Sequence, residues 1–124
     1  MQVNVNAQFY LTRALLPLLN NAPDARILFT SSSVGRTGRA FWGAYSVSKF
    51  ATEGLSQVLA DEHRETKLRV NCINPGATRT NMRLEAFPAE DRSKIKGPEE
   101  VLAPYFYLLG PDSKGVTGQS LDSQ

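Results

Sequence analysis

The sequence contains little of what disulfide or metal chemistry requires. Its 124 residues include one cysteine, Cys72, and one histidine, His63. A lone cysteine cannot form an internal disulfide, and Cys72 falls in an apolar strand pattern, so we expect its side chain to be packed. His63 comes at the far end of a helical pattern and is expected at the surface. No set of side chains has the spacing of metal ligands, so no metal site is predicted.

Long apolar runs and blocks of one charge are missing as well. No apolar run approaches the roughly 18–20 residues that a helix needs to cross a bilayer, and no secretory signal pattern is present. The net charge is +2, with basic and acidic residues interspersed. These features argue against a membrane span and against nucleic-acid binding. We therefore expect one modest domain over residues 1–124, in a reducing, cytoplasmic compartment.

The informative part of the chain is residues 31–49, which read SSSVGRTGRAFWGAYSVSK. The apolar run Ile27–Phe29 before it predicts a buried strand, and a long helical pattern from Ala44 to His63 begins inside it. Lys49 lies four residues after Tyr45. A phenol and an ammonium are thus expected on one helix face, beside serine hydroxyls at a strand end. Enzymes with α/β sheets place their chemistry at such strand ends.

These side chains suit the interconversion of a carbonyl and an alcohol. A free phenol is protonated near neutral pH, and a nearby ammonium favours the phenolate. Tyr45 is therefore a candidate general acid–base, with Lys49 tuning it. A serine hydroxyl at the strand end can hydrogen-bond the substrate oxygen, and the hydride must come from another molecule. A tyrosine and a lysine at this spacing are by themselves more often a solvated helix surface, so the surrounding pattern carries the argument.

The remaining patterns alternate helices with strands. A helix is predicted over residues 1–19, and Pro17 inside it is expected to kink or weaken it. The long helix has an apolar stripe of Ala51, Leu55, Val58 and Leu59, which places Glu53 on its solvated face. The later segments are a strand at Leu68–Ile73, a polar irregular stretch at Asn81–Lys96, and a helix from Pro98 to Leu109 in which Pro104 is unfavourable.

Four stretches of the chain resemble the short-chain dehydrogenase/reductases, in the order in which that family has them. They are VNVNAQFYLTRALLPLL, ILFTSSSVGRTGRAFWGAYSVSKFATEG, RVNCINPGATRT and VTGQ. The resemblance implies an α/β fold: a partial Rossmann-like, doubly wound parallel sheet of about three strands with crossover helices. It places the last strand at Val116–Gln119 and makes Asn81–Lys96 the substrate-binding loop.

The resemblance also assigns residues to a site. It makes Asn4, Ser32, Tyr45 and Lys49 the catalytic set, in which Asn4 helps to hold a water of a proton relay. Ser32 is preferred because it lies thirteen positions before Tyr45, although a serine triplet leaves the neighbouring positions open. An NADP or NAD cofactor would meet Tyr45, Lys49, Pro75, Gly76, Thr78 and Thr80. The substrate would be a small-molecule carbonyl or alcohol compound.

Part of the family's pattern does not occur in these residues. The phosphate-binding TGxxxGxG loop, the residue that selects between NAD and NADP, and the NNAG stretch are absent. The chain therefore resembles the C-terminal, catalytic half of such an enzyme, and alone it is expected to be inactive. A homo-oligomer through helices 1–19 and 44–63 is also implied. The alternative is an inactive fragment that serves only for dimerisation or interaction; a serine hydrolase lacks both a GxSxG elbow and a histidine within reach.

Overall fold

A computed structural model describes residues 1–124 and contains one parallel sheet. Its strands are β1 (Arg26–Thr30), β2 (Arg69–Asn74) and β3 (Ser120–Asp122), in the spatial order β1-β2-β3. Leu28 lies beside Asn71, and Ile73 beside Leu121. Because all three strands run in the same direction, their carboxyl ends meet at one end of the sheet. The predicted α/β class with a parallel sheet is confirmed.

The chain also has four α-helices. They are α1 (Ala7–Asn21), α2 (Gly43–Glu62), α3 (Asn81–Ala86) and α4 (Ala103–Leu109). A π-helical turn, Gln2–Asn6, precedes α1, which continues through Pro17 to Asn21. The expected early weakening at Pro17 does not occur, because a proline removes only one backbone donor from the helix. No helix has both the length and the apolar character to cross a membrane.

The core lies between α2 and the sheet. Its buried apolar residues are Ala25, Phe29, Leu59, Ala60, Leu68, Val70 and Cys72. Cys72 is fully buried in β2 as predicted, and burial raises the pKa of its thiol to about 11. A thiol with that pKa stays protonated at neutral pH, so Cys72 is an inert packing residue.

The face that α2 buries differs from the predicted apolar stripe. Val58 is 55% exposed, whereas Glu53 is only 6% exposed. Toward its N-terminal half the buried side chains are mostly polar: Ser46, Ser48, Lys49, Thr52, Glu53 and Ser56. This half of α2 packs against strand ends and a tight loop, whose main-chain groups and hydroxyls need hydrogen-bond partners. The prediction of Glu53 on a solvated face is therefore wrong.

The last strand also lies later in the chain than expected. It is Ser120–Asp122, whereas Val116–Gln119 leads into it as an irregular segment. Gly118 has a positive φ of 71°, which interrupts an extended conformation. The segment still follows β2, because Gly118 donates its N–H to the Val70 oxygen at 2.8 Å and the hydroxyl of Thr117 accepts the Val70 N–H at 3.0 Å.

The segment after β2 has more local structure than the polar pattern predicted. Helix α3 forms within it, because the hydroxyl of Thr80 accepts the N–H of Arg83 at 3.2 Å as an N-cap. The predicted helix over Pro98–Leu109 is divided into a 3₁₀ turn, Pro98–Val101, and α4. Pro104 lies in the first turn of α4, where its missing N–H has no helical partner to lose.

Candidate functional site

Tyr45 and Lys49 project together from the first turns of α2. The ammonium nitrogen of Lys49 lies 5.6 Å from the centroid of the Tyr45 ring and donates a hydrogen bond to the Thr30 main-chain oxygen at 2.9 Å. Lys49 is only 9% exposed, and burial lowers the pKa of its ammonium. The predicted arrangement of a phenol and a cation at the end of β1 is thus present in the structure.

Gly35 brings the loop after β1 against this pair. A Cβ atom on Gly35 would lie 2.9 Å from both the Cβ and the main-chain oxygen of Lys49. Real side chains do not approach so closely, so only glycine fits between the loop and α2. The hydroxyl of Ser46 adds a hydrogen bond of 2.6 Å to the Val34 oxygen. The position of the loop relative to the Tyr45–Lys49 face is therefore fixed by packing.

Ser32 lies where this loop leaves the strand. Its Oγ caps a 3₁₀ turn, Ser33–Gly35, by accepting the N–H of Val34 at 3.4 Å. Ser32 and Tyr45 share no hydrogen bond in this structure. A hydroxyl can accept one hydrogen bond and donate another, so the Ser32 proton remains free for a substrate oxygen. Ser31, its neighbour, is buried and points to α2 instead, where its hydroxyl donates to Glu53.

Asn4 reaches the same helix from the N-terminal segment. Its side-chain amide donates to the Ser48 hydroxyl at 3.2 Å, and that hydroxyl donates to the Tyr45 main-chain oxygen at 2.7 Å. Thr52 adds a contact one turn further on, by donating to the Gln8 side chain at 2.9 Å. These bonds attach the N-terminal segment to α2 beside Tyr45 and Lys49.

The loop after β2 holds four of the six residues predicted to meet a cofactor. Gly76 has a positive φ of 74°, and its N–H is accepted by the Asn74 side chain at 3.0 Å. The Thr78 hydroxyl donates to the Gly76 oxygen at 3.1 Å. The amide of Gln124 donates to the oxygens of Pro75 and Ala77 at 2.7 and 2.9 Å. The Gln124 side chain thus adds two hydrogen bonds to those within the loop.

Glu53 is the principal residue that sequence reasoning missed. Its Oε1 accepts hydrogen bonds from the hydroxyls of Ser31 and Ser120, the latter at 2.8 Å, and lies 3.6 Å from Nε of Arg36. It therefore ties α2 to the end of β1 and to the start of β3. One signal could have found it: Glu53 lies four residues after Lys49, on the helix face that carries the predicted catalytic pair.

Asp122 connects the two predicted site loops. Its Oδ1 accepts one hydrogen bond from Nη1 of Arg36 at 2.8 Å and another from the Asn74 side chain at 3.0 Å. Arg36 lies in the loop after β1, and Asn74 accepts the Gly76 N–H in the loop after β2. The hydrogen bond from Arg36, followed by that from Asn74, lowers the pKa of the Asp122 carboxyl below its usual value.

His63 lies at the opposite end of α2 from these residues. It caps the C-terminus of the helix, and its Nδ1 lies 2.9 Å from the Leu59 oxygen. The structure has no group of three histidine, cysteine or carboxylate side chains placed to hold a metal ion.

Comparisons with known proteins identify the family. The family model for short chain dehydrogenases matches residues 1–91. The uncharacterized oxidoreductase YciK of Escherichia coli K12 is 60% identical over 124 residues, which cover 100% of this chain and 49% of that protein. This chain therefore belongs to the short-chain dehydrogenase family, and it spans about half the length of that relative.

Solved structures show the same relationship. A short chain dehydrogenase from Salmonella enterica serovar Typhi has a TM-score of 0.97 and 60% identity, over 99% of this chain and 51% of that one. A short chain dehydrogenase from Shigella flexneri, solved in complex with NADP, has a TM-score of 0.96 and 59% identity, over 99% of this chain and 51% of that one. The Rossmann-type fold inferred from the sequence is thus shared with solved members of the family.

The donor groups of the site fit the nicotinamide end of such a cofactor. The Lys49 ammonium has three N–H donors and uses one of them on Thr30. The Thr80 hydroxyl accepts the Arg83 N–H, so its own proton is available to donate. Ribose hydroxyls and a carboxamide oxygen are acceptors that these donors can satisfy.

Proposed function

We propose that this chain carries the catalytic groups of an oxidoreductase that interconverts a small-molecule carbonyl compound and its alcohol. The observation that carries the proposal is the buried ammonium of Lys49, 5.6 Å from the Tyr45 ring at the end of β1. A cation held beside a phenol stabilises the phenolate and so makes the hydroxyl a better proton donor. Membership of the short-chain dehydrogenase family supports the same class of reaction.

Each residue of the predicted set has a role in this proposal. In the direction of reduction, the Tyr45 hydroxyl gives its proton to the carbonyl oxygen, and Ser32 holds that oxygen by a hydrogen bond. Lys49 stabilises the phenolate that remains, and Asn4 helps to hold a water that returns a proton from solvent. A nicotinamide cofactor, NADP or NAD, would supply the hydride.

The cofactor would be held by residues of two segments of the chain. They are Tyr45 and Lys49 on α2 and Pro75, Gly76, Thr78 and Thr80 in the loop after β2. Two facts support this: the loop is braced by Asn74 and Gln124, and the related Shigella flexneri protein was solved with NADP.

The proposal is tested by replacing Tyr45 with Phe, which keeps the ring and removes the proton. The change is made in a chimera in which residues 1–124 replace the matching part of the E. coli relative. General acid–base catalysis contributes about 10²–10⁴-fold, so we expect carbonyl reduction to fall by that factor. Tyr107→Phe, on the exposed surface of α4, is the matched control. Activity of Tyr45→Phe within a few-fold of the parent chimera would contradict the assignment.

Residues 1–124 alone are expected to bind NADPH and NADH weakly and to turn over no substrate. They contain no TGxxxGxG loop to hold a pyrophosphate. Several charge-assisted hydrogen bonds, each worth about 1.5–3 kcal/mol, would be missing, and about 1.4 kcal/mol is a tenfold change in affinity. Calorimetric titration with each nucleotide is the measurement. Micromolar affinity for either nucleotide would contradict this expectation and mean that a second copy of the chain completes the site.

A second candidate function is that of an inactive interaction module that dimerises. Large apolar side chains are exposed on both long helices: Leu11, Leu18, Val47, Phe50 and Val58. A homo-oligomer formed through α1 and α2 would bury them. Sedimentation of the parent chain and of Leu18→Glu tests this reading, which requires a dimer that the substitution dissociates. Carbonyl reduction by the chimera would show that the chain also retains a catalytic role.

A further inference from the structure

One aromatic side chain, Trp42, contacts the candidate acid–base residue, and a second, Phe87, contacts Trp42. The ring centroid of Trp42 is 5.9 Å from that of Tyr45 and 6.0 Å from that of Phe87, with interplanar angles of 44° and 36°. Trp42 is the N-cap of α2, and Phe87 is the C-cap of α3. Phe41 precedes Trp42 in the same loop. We call Phe41, Trp42 and Phe87 the aromatic wall.

The aromatic wall is open to solvent. Phe41 is fully exposed, at 106%, and Phe87 is 36% exposed. Phe41 also has a positive φ of 72°, the only residue other than glycine with such a value. A bulky residue in this conformation is unusual, and no packing of its ring offsets the unfavourable backbone. Trp42, which contacts Tyr45, is half-buried, and exposed aromatic rings around such a residue are typical of a ligand site.

The Arg83 charge beside Phe87 is already neutralised within the chain. The Arg83 guanidinium lies 4.0 Å from the centroid of the Phe87 ring. It donates two hydrogen bonds to the Glu90 carboxylate, at 2.8 and 2.7 Å. Arg83 therefore braces the ring and is not free to bind a carboxylate or a phosphate. A neutral ligand is the better match for this part of the surface.

We propose that the aromatic wall binds the carbon body of a neutral substrate that carries a flat, apolar ring beside its carbonyl group. A ring placed on Trp42 or Phe87 gains offset or edge-to-face contacts and loses exposed apolar surface. A polyhydroxylated carbonyl compound would lose water there without gaining hydrogen-bond partners. The carbonyl part of this inference rests on the proposed function, whereas the binding of the ring rests on the wall alone.

The test measures binding without a cofactor and without turnover. Trp42 is the only tryptophan of the chain, so its fluorescence reports on the wall directly. 4-Fluoroacetophenone is titrated into residues 1–124 and followed by its fluorine NMR signal and by calorimetry, and by Trp42 emission corrected with free tryptophan amide. Glyceraldehyde is the polar comparison. We expect saturable binding of the aromatic ketone and none of glyceraldehyde over the same range.

Three substitutions locate the site. Trp42→Leu and Phe87→Leu should each weaken binding by about tenfold, the loss expected for one ring contact with its buried area. Phe41→Ser changes a fully exposed side chain, so it tests the wall without a risk to folding. Phe106→Leu, 71% exposed on α4, is the matched control and should bind like the parent. If the isolated chain does not fold by circular dichroism, the same titrations are made on the chimera.

Several outcomes would contradict the proposal that the aromatic wall binds a ring-bearing substrate. Failure of the ketone to bind, equal binding by all four variants, or comparable binding of glyceraldehyde would overturn the proposal. A wall that is covered by a second copy would also overturn it, and sedimentation would then show an oligomer that Trp42→Leu dissociates. The proposed function is tested separately. If ring binding depends on the wall but the chimera reduces no carbonyl, the proposed function is contradicted, while the wall is still supported as a ligand site. A chimera that reduces carbonyls without preferring ring-bearing ones would refute the wall alone.

Discussion

Lys49 donates a hydrogen bond from its ammonium to the main-chain oxygen of Thr30 at 2.9 Å, across the end of β1. The contact places a buried cation where the sheet meets the predicted site, without a carboxylate as its partner. Burial lowers the pKa of this ammonium from its usual value of 10.5. Burial of the Lys49 ammonium costs it the favourable solvation by water. Its position is therefore more easily explained by a role in the chemistry of Tyr45 than by a contribution to stability.

Replacing Lys49 with Met is therefore expected to separate stability from activity. The methionine removes a buried charge, so the free energy of unfolding should not fall, while carbonyl reduction by the chimera should fall by orders of magnitude. The pKa of Lys49 in the folded chain lies below its usual value of 10.5. At pH values between the folded and unfolded pKa, the unfolded chain therefore binds more protons than the folded chain. The stability of the parent should rise with pH through that window, and this rise should be missing in Lys49→Met. Urea unfolding across alkaline pH measures it; a large loss of stability at neutral pH would contradict the prediction.

Gly35→Ala tests the contact between the serine loop and α2. The added Cβ would lie 2.9 Å from both the Cβ and the main-chain oxygen of Lys49 on α2, so the loop must move. Overpacking of this kind costs about 1–3 kcal/mol, and the displacement should reduce activity of the chimera as well. Gly38→Ala in the same loop is the control, because nothing lies within 4 Å of its added Cβ. Equal unfolding midpoints for the two variants would show that the loop is not fixed by this contact.

The parts of the site that the sequence predicted are the local ones. Tyr45 and Lys49 are one helical turn apart, so their common face follows from helix geometry alone. Ser32 could be placed near a strand end because the apolar run of β1 stops just before it. The limits of α1 and α2 were also predictable within one or two residues at their C-terminal ends, where polar residues replace the apolar pattern.

The parts that were missed depend on contacts between distant segments. Glu53 reads as a solvated carboxylate because its partners Ser31 and Ser120 are 22 and 67 residues away. Its burial follows from the way three elements converge, which periodicity does not report. The position of β3 was missed for another reason. The family resemblance of Val116–Gln119 predicts a strand, but Gly118 has a positive φ. The extended conformation that pairs with β2 therefore begins only at Ser120.

Glu53→Gln and Glu53→Ala should have very different effects. Both hydroxyls bond to Oε1 of Glu53, and a glutamine oxygen can accept the same two hydrogen bonds. We expect Glu53→Gln to cost about 1 kcal/mol, since only the charge is lost. Glu53→Ala leaves buried hydroxyls without an acceptor and should cost about 2–4 kcal/mol. Urea unfolding of both variants is the measurement, and similar losses for the two would mean that the charge rather than the hydrogen bonds matters.

Asp122→Asn tests the connection between the two site loops through its dependence on pH. Arg36 and Asn74 lower the pKa of Asp122 from 3.8, so its carboxylate stabilises the fold above that pH and the contribution is lost as pH falls through the folded-state pKa. Asp122 is 56% exposed, which limits the effect to about 0.5–1 kcal/mol near neutral pH. The stability difference between parent and variant should therefore be constant near neutrality and vanish in acid. Asp112→Asn, an exposed carboxylate in a 3₁₀ turn, is the control, and hydrogen exchange at Gly76 should quicken only in Asp122→Asn. A difference that persists at low pH would show that Asp122 acts through the hydrogen-bonding groups of its carboxyl and not through its charge.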